Sequence, residues 1–331
     1  MAPWYGNESS ESSESSESSE SSESSESSGV RAYSGRRTST LLAQALWSTQ
    51  GELLRGIAAP GSYDNSARKL DVEKAMARWA PDVRARLYHS ELESPLFFIR
   101  DTDNKSILLK QTNPPDNTGA NAKYDELAPM LRPKYDGYAG GPGADLDTEI
   151  KKVMKWNALR SDRLAEILIQ VSPPYMFFAA VLNLQAGRHR RTFELMSVVQ
   201  SFGAVVTHQF KHAFRVVRPA DRSSLIQPII NTPGHGSYPA GHALQCHLQK
   251  HVLDTIIGWS GAGERYGQLE RLANRIAENR IVAGLHYETD NVEGAKLAKP
   301  VADYFCKKAA VADSALKWLY DLAKEEIKDL K

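Results

Sequence analysis

Apolar positions along the chain recur mostly at helical spacing. From about Thr38, Leu41, Leu42, Ala45 and Leu46 fall on one face, and a second amphipathic stretch runs from Val72 through Leu87. Both predict peripheral helices. The segment Asn113 to Gly143 then concentrates proline and glycine (NPPDNTG, LRPKYDGYAGGPG) and predicts a long irregular connection: a lid, a partner contact or a plain boundary. Beyond it helical patterns dominate: Asp147 to Lys155, Ser161 to Val171, the run PPYMFFAAVLNL, Thr192 to Val217, Ala243 to Trp259, Gly263 to Val282, and Asn291 to Lys328. Strand-like alternation is scarce. The predicted class is all-α, a helical bundle whose site is built from side chains on facing helices.

The start of the chain has no such pattern. After MAPWYGN come seven Glu-Ser-Ser triplets, Glu8 to Ser28, without an apolar residue. A segment with nothing to bury cannot offset its chain entropy, so it reads as a disordered acidic tail; the alternative is a phosphorylatable or partner-binding arm. The expected organisation is therefore a tail over 1–35, N-terminal helices and the Pro/Gly-rich connection over 36–146, and a helical-bundle catalytic core over 147–331.

Setting the tail aside changes the charge. The chain has 41 Lys and Arg against 40 Asp and Glu; without the seven tail glutamates the balance is 41 against 33, a net +8. That sign suits small anions. It is too diffuse for nucleic acid, and no basic-aromatic interleaving or zinc-finger spacing supports such a partner. The two cysteines, Cys246 and Cys306, form no CxxC and suggest neither a disulfide framework nor a zinc site. No basic leader followed by an apolar run and no uninterrupted apolar stretch of about 18 residues is visible, so the expectation is a soluble, cytoplasmic protein that does not engage a membrane.

Three segments carry candidate chemistry. In KHAFRVVRP, Lys211 and Arg218 stand seven residues apart, which on a continuous helix puts both cations on one face, with the helix expected to end near Arg218 because Pro219 disfavours helical backbone before it. By itself this could be a solvated basic face. In PGHGSYPAGHALQ, a Gly- and Pro-rich turn feeds a helix with Leu244, Leu248, Val252 and Ile256 at four-residue spacing. The free N–H groups of a helix N-terminus attract anions, Gly241 lets the backbone approach closely, and His242 lies in the first turn. In NRIVAGLHYETD, Arg280 precedes His286 by six and Asp290 follows it by four, so Asp290 is expected to share a helical face with His286 and orient its ring. Gly284 is expected to break the chain between Arg280 and His286.

Lys-x6-Arg-Pro, then Pro-x-Gly-His, then Arg-x5-His-x3-Asp, in that order, resembles the signature of the superfamily that joins type 2 phosphatidic acid phosphatases, soluble acid phosphatases and vanadium-dependent haloperoxidases. The resemblance covers roughly Thr192 to Pro300. It implies that Lys211, Arg218, Arg280 and the Gly241 N–H hold an oxyanion, vanadate or the competing phosphate. His286 would be the metal ligand or nucleophile, and His242 the acid–base residue. Ala240 stands where the family usually has serine, so one hydroxyl contact to the anion, worth about 1.5 to 3 kcal/mol to a charged group, is missing.

His235, seven residues before His242, resembles the additional active-site histidine of bromoperoxidases in this family; its alternative reading is an exposed loop residue. With it, the resemblance implies a vanadium-dependent haloperoxidase that oxidises bromide or iodide with hydrogen peroxide and halogenates a small organic acceptor, as a homo-oligomer. A soluble acid phosphatase acting through a phosphohistidine is the alternative. A catalytically inactive anion-binding protein, motivated by Ala240 alone, is the third.

Overall fold

The computed structural model describes residues 72–100, 107–112, 124–127, 133, 135, 145–259 and 264–330. The Glu-Ser-Ser tail, the helix expected from Thr38 and most of the Asn113–Gly143 connection lie outside the described residues. Within them the class is all-α, as the periodicity predicts.

The stretch expected from Val72 to Leu87 is two helices, α1 (Val72–Arg78) and α2 (Pro81–Glu93). Pro81 causes the break: it lacks an N–H and restrains Ala80 to extended backbone, but its fixed φ suits the first turn of a new helix. Between α2 and the bundle lies a small antiparallel sheet that the periodicity does not reveal: β1 (Leu96–Arg100), β2 (Ile107–Thr112) and β3 (Tyr124–Glu126), in order β1-β2-β3, with Phe98 opposite Leu109. LFFIR and ILLKQT are apolar runs too short to alternate clearly. Phe98 anchors the sheet by packing edge-on against Phe210 at 5.5 Å.

The bundle continues with α3 (Leu146–Trp156), α4 (Arg160–Ile169), α5 (Tyr175–Val181), α6 (Arg190–Phe214) and the single turn α7 (Pro219–Arg222). It closes with α8 (Gly241–Ile257), α9 (Glu264–Val282), α10 (Glu288–Ala309) and α11 (Ala315–Glu326). The last region, expected as one stretch, divides at residues 310–314.

Helix α8 is the axis, packed against α6, α9 and α10. Leu244, Leu248, Val252 and Ile256 are all buried, and so are most residues on its other faces. Its polar groups therefore need partners, as where Gln200 of α6 donates to Gln245 at 2.7 Å. Gly294 lets α10 lie directly on the start of α8: a Cβ there would come within 2.6 Å of the Ala240 carbonyl oxygen. The N-terminus of α8, the end of α6 and the start of α10 are thereby held at one end of the bundle.

Candidate functional site

Lys211 and Arg218 come together, but not as neighbours on one helix. Helix α6 stops at Phe214, four residues before Arg218, where Arg215 takes left-handed backbone (φ 52°) and its N–H caps the Lys211 carbonyl at 2.9 Å. The chain then runs extended to Arg218, held there by Pro219. The loop, rather than helical periodicity, brings the two cations together. Lys211 Nζ donates to the carbonyls of Gly236 (2.8 Å) and Ser237 (2.9 Å). The Arg218 guanidinium donates to the carbonyls of His235 (3.0 Å) and Leu285 (3.0 Å). Both side chains are about 1% exposed.

The third segment also departs from the expected geometry while keeping the expected contact. His286 is not on the helix of Asp290: α10 begins at Glu288, with Tyr287 as its N-cap. Gly284, at φ 85°, ends α9 and turns the chain so that His286 precedes the new helix. Asp290 is the third residue of α10, and its carboxylate reaches back over the helix start to accept from the Tyr287 N–H (3.0 Å) and from His286 Nδ1 (3.0 Å). Ser237 Oγ donates to the same carboxylate oxygen at 2.5 Å, and the Tyr135 hydroxyl donates to the other at 2.6 Å.

Charge and tautomer follow. Burial alone would raise the Asp290 pKa, but hydrogen bonds from His286, Ser237 and Tyr135 outweigh it and hold the group below its ordinary value, as a carboxylate. Burial, then the nearby charges of Lys211 and Arg218, pushes the His286 pKa down to about 3 against the pull of Asp290. His286 is thus a neutral imidazole at pH 7. With the Nδ1 proton committed to Asp290, Nε2 carries the lone pair, and Arg218 Nη1 lies 3.3 Å from that atom.

His242 and Arg280 meet at Gln170, the residue that caps α4. His242 Nε2 lies 2.9 Å from the Gln170 carbonyl, so this nitrogen donates to it and Nδ1 is the ring atom left for other chemistry. Arg280 donates to the Gln170 side chain (3.2 Å) and to the Ile167 carbonyl (3.1 Å). The predicted residues thus form two groups, one around His286 and one around Gln170, with the first turn of α8 beside both. Gly241 opens that turn, His242 follows it, and the N-cap Ala240 donates its N–H to the Asp290 carbonyl at 3.0 Å. Ala240 makes no side-chain cap, and its methyl group clusters with Ala243 and Ala277.

His235 is tied to the cations instead of standing out in solvent: its Nδ1 is 3.1 Å from Arg218 Nη2, and its ring meets that of His208 edge-on at 5.0 Å. His235, Lys211 and Arg218 line a cavity of about 680 Å³ together with His208, His212 and Arg215; Asp221 is the one carboxylate in that lining. Among the described residues, no three His, Cys, Asp or Glu side chains are arranged to hold a metal cation. An oxyanion gripped by cations and one imidazole requires no such cluster.

Sequence reasoning missed four members. Ser237 was discoverable, since it sits inside the motif HGSYPAGH. Gln170 and His208 lie outside every motif, and Tyr135 comes from the Pro/Gly-rich connection, 155 residues from the carboxylate it serves. Among the described helices none is long and apolar enough to cross a membrane.

No protein-family model and no curated protein matches the chain. Among solved structures it is similar to one of the first bacterial vanadium-dependent iodoperoxidase, at 14% identity and a TM-score of 0.40, over 52% of this chain and 51% of that one. The chain thus spans about half the length of the structure to which it is similar.

Proposed function

We propose that this chain is an oxyanion-handling enzyme, and specifically a vanadium-dependent haloperoxidase that oxidises bromide or iodide with hydrogen peroxide to hypohalous acid and halogenates a small organic acceptor. The observation that carries this is the state of His286. It is a fully buried, neutral imidazole, fixed at Nδ1 by an ionised Asp290, with its lone pair on the side of a guanidinium and in the positive field of Lys211 and Arg218. Buried cations would stabilise an anion there, and an anchored ring keeps Nε2 aimed at it.

The residues suit vanadate. In this reading Lys211, Arg218 and Arg280 hold its oxygens, the Gly241 N–H adds a helix-terminal donor, and His286 Nε2 is the protein ligand. Bound vanadate supplies Lewis acidity that activates hydrogen peroxide toward the halide. His242 moves protons through Nδ1 while Gln170 holds Nε2. His235 lies in the cavity lining against Arg218, and the resemblance to bromoperoxidases would make it the residue that favours bromide or iodide over chloride.

The same neutral imidazole supports a second reading, an acid phosphatase. His286 Nε2 would attack phosphorus, the bond to the leaving oxygen would break as His242 gives that oxygen a proton, and water would then cleave the phosphohistidine P–N bond. The test runs both reactions on the full chain: bromide and iodide oxidation with hydrogen peroxide after incubation with orthovanadate, and hydrolysis of a generic phosphomonoester without it. Vanadate-dependent halogenation is expected. Hydrolysis alone would replace the first reading with the second, and silence in both arms would leave an anion-binding protein.

A further inference from the structure

We infer that Gln170 is a positioning residue of the oxyanion site: its neutral amide aims the Arg280 guanidinium without neutralising it, which leaves the full positive charge for the anion. This rests on the reading above that Arg280 helps to hold an oxyanion, and it adds how that cation is oriented and kept strong.

Residue 170 serves the site twice, through different atoms. Its backbone carbonyl, at the C-terminal end of α4, accepts from His242 Nε2 at 2.9 Å. Its side-chain Oε1 accepts from Arg280 Nη2 at 3.2 Å, and the same nitrogen donates to the Ile167 carbonyl in the last turn of α4 at 3.1 Å. Both of these acceptors are neutral oxygens. A carboxylate in the place of the amide would pair with the guanidinium and compete with a bound anion for its charge.

The groups behind Gln170 fix its amide. Asn279 Nδ2 also donates to Gln170 Oε1, at 2.9 Å, so two donors converge on that oxygen and set which way the amide faces. Asn279 is set in turn by charge: its Nδ2 donates to Glu166 Oε2 at 3.0 Å, and its Oδ1 accepts from Arg163 Nη1 at 3.3 Å. Glu166 is an ionised carboxylate, held down to a pKa of about 2 chiefly by the hydrogen bonds from Arg275, at 2.7 and 2.9 Å. Arg163 pairs with Glu278 at 3.1 Å. Gln170, Asn279 and Arg280 are at most 1% exposed, whereas the side chains of Glu166 and Arg275 are 34% and 43% exposed. The charges that orient this chain of bonds therefore sit toward solvent, paired with one another. Two buried amides pass the orientation inward to Arg280 and put no carboxylate at the end of the chain.

The experiment is calorimetric titration of the full chain with orthovanadate, with urea denaturation of each variant run beside it. Gln170→Glu has nearly the same shape and can accept the same two hydrogen bonds, yet it is expected to bind vanadate about tenfold more weakly, the scale of one charge-assisted bond lost to a competing carboxylate. Gln170→Met keeps the volume and the backbone carbonyl but has no side-chain oxygen; it is expected to lose about fivefold, the scale of one neutral hydrogen bond, because Arg280 is no longer aimed. In an Arg280→Met background that second loss should vanish, since Gln170 acts through Arg280, whereas a merely structural role would leave it in place. Wild-type affinity in a folded Gln170→Glu protein, or a Gln170→Met loss that persists without Arg280, would overturn the proposal. Should Gln170→Glu not fold, the Gln170→Met cycle decides alone. If Arg280→Met binds vanadate as the wild type does, the proposal falls while the rest of the cage stands; if the wild type itself does not bind, the oxyanion reading is wrong and the role of Gln170 falls with it.

Discussion

Asp290→Asn isolates the charge that orients His286. The carboxylate accepts four hydrogen bonds: from Ser237, His286 and Tyr287 on one oxygen, and from Tyr135 on the other. An asparagine amide cannot present its NH2 group to the first three donors, so it will place its oxygen there and its nitrogen toward Tyr135, whose hydroxyl can rotate to accept. Geometry survives and charge is lost. Hydrogen bonds to a charged group contribute about 1 kcal/mol more than neutral ones, so weakening three of them costs about 3 kcal/mol of stability. The catalytic loss is separate, because positive charge developing on the ring as Nε2 bonds to an electrophile loses its counter-charge. We expect turnover to fall by about two to four orders of magnitude, the range seen when the group orienting a catalytic histidine is neutralised. Urea denaturation reads the first effect and steady-state kinetics the second. A folded Asp290→Asn protein with turnover within twofold of wild type would refute the claim that Asp290 acts through His286.

Acid should destabilise the fold through the same pair. His286 binds its proton near pH 3 in the folded chain but near the ordinary 6.5 when unfolded, so its contribution is complete above pH 6.5 and is lost as pH falls toward 3; Asp290, also lowered, acts in the same direction. The loss amounts to at most about 5 kcal/mol, and a denaturation series in His286→Ala should show a shallower acid limb. Gly294→Ala would press a methyl group to 2.6 Å from the Ala240 carbonyl oxygen and push α10 off the first turn of α8. We expect a cost of about 1 to 3 kcal/mol in urea titration, and a wild-type midpoint would show that the two helices are not so closely packed. Ala240→Ser should tighten vanadate or phosphate binding by about tenfold, the scale of a hydroxyl bonded to a charged group. Unchanged affinity with a higher Tm would mean that the hydroxyl caps α8 instead of facing the anion.

The helical class was legible because the long helices α3, α4, α6 and α8 through α11 carry apolar positions at helical spacing; Leu244, Leu248, Val252 and Ile256 sit inside α8 as their spacing requires, whereas the single turn α7 has no such pattern. The motif residues were legible as types, because Lys211, Arg218, His286 and Asp290 are the groups that anion chemistry needs. Their geometry was not. Spacing put Lys211 with Arg218, and His286 with Asp290, on continuous helices, whereas a left-handed residue at Arg215 interrupts the first and the start of α10 at Glu288 the second. The break at Gly284 was legible from glycine's tolerance of positive φ, but where α6 stops and α10 starts depends on tertiary contacts that no local window contains. Tyr135 was invisible for the same reason, since only the folded chain brings a tyrosine from an irregular connection onto the buried carboxylate. The small sheet went unread because its strands are short: β1 and β2 carry apolar residues that do not alternate clearly, and β3 is only Tyr124–Glu126.

The account turns on His286 as the group that bonds to the oxyanion, and vanadium-51 NMR during titration of the full chain with orthovanadate tests this directly. Wild-type protein should give a bound vanadium resonance that inorganic phosphate displaces, and His286→Ala, with its cations intact, should lose that resonance. A bound signal of the same position and affinity in both proteins would contradict the account.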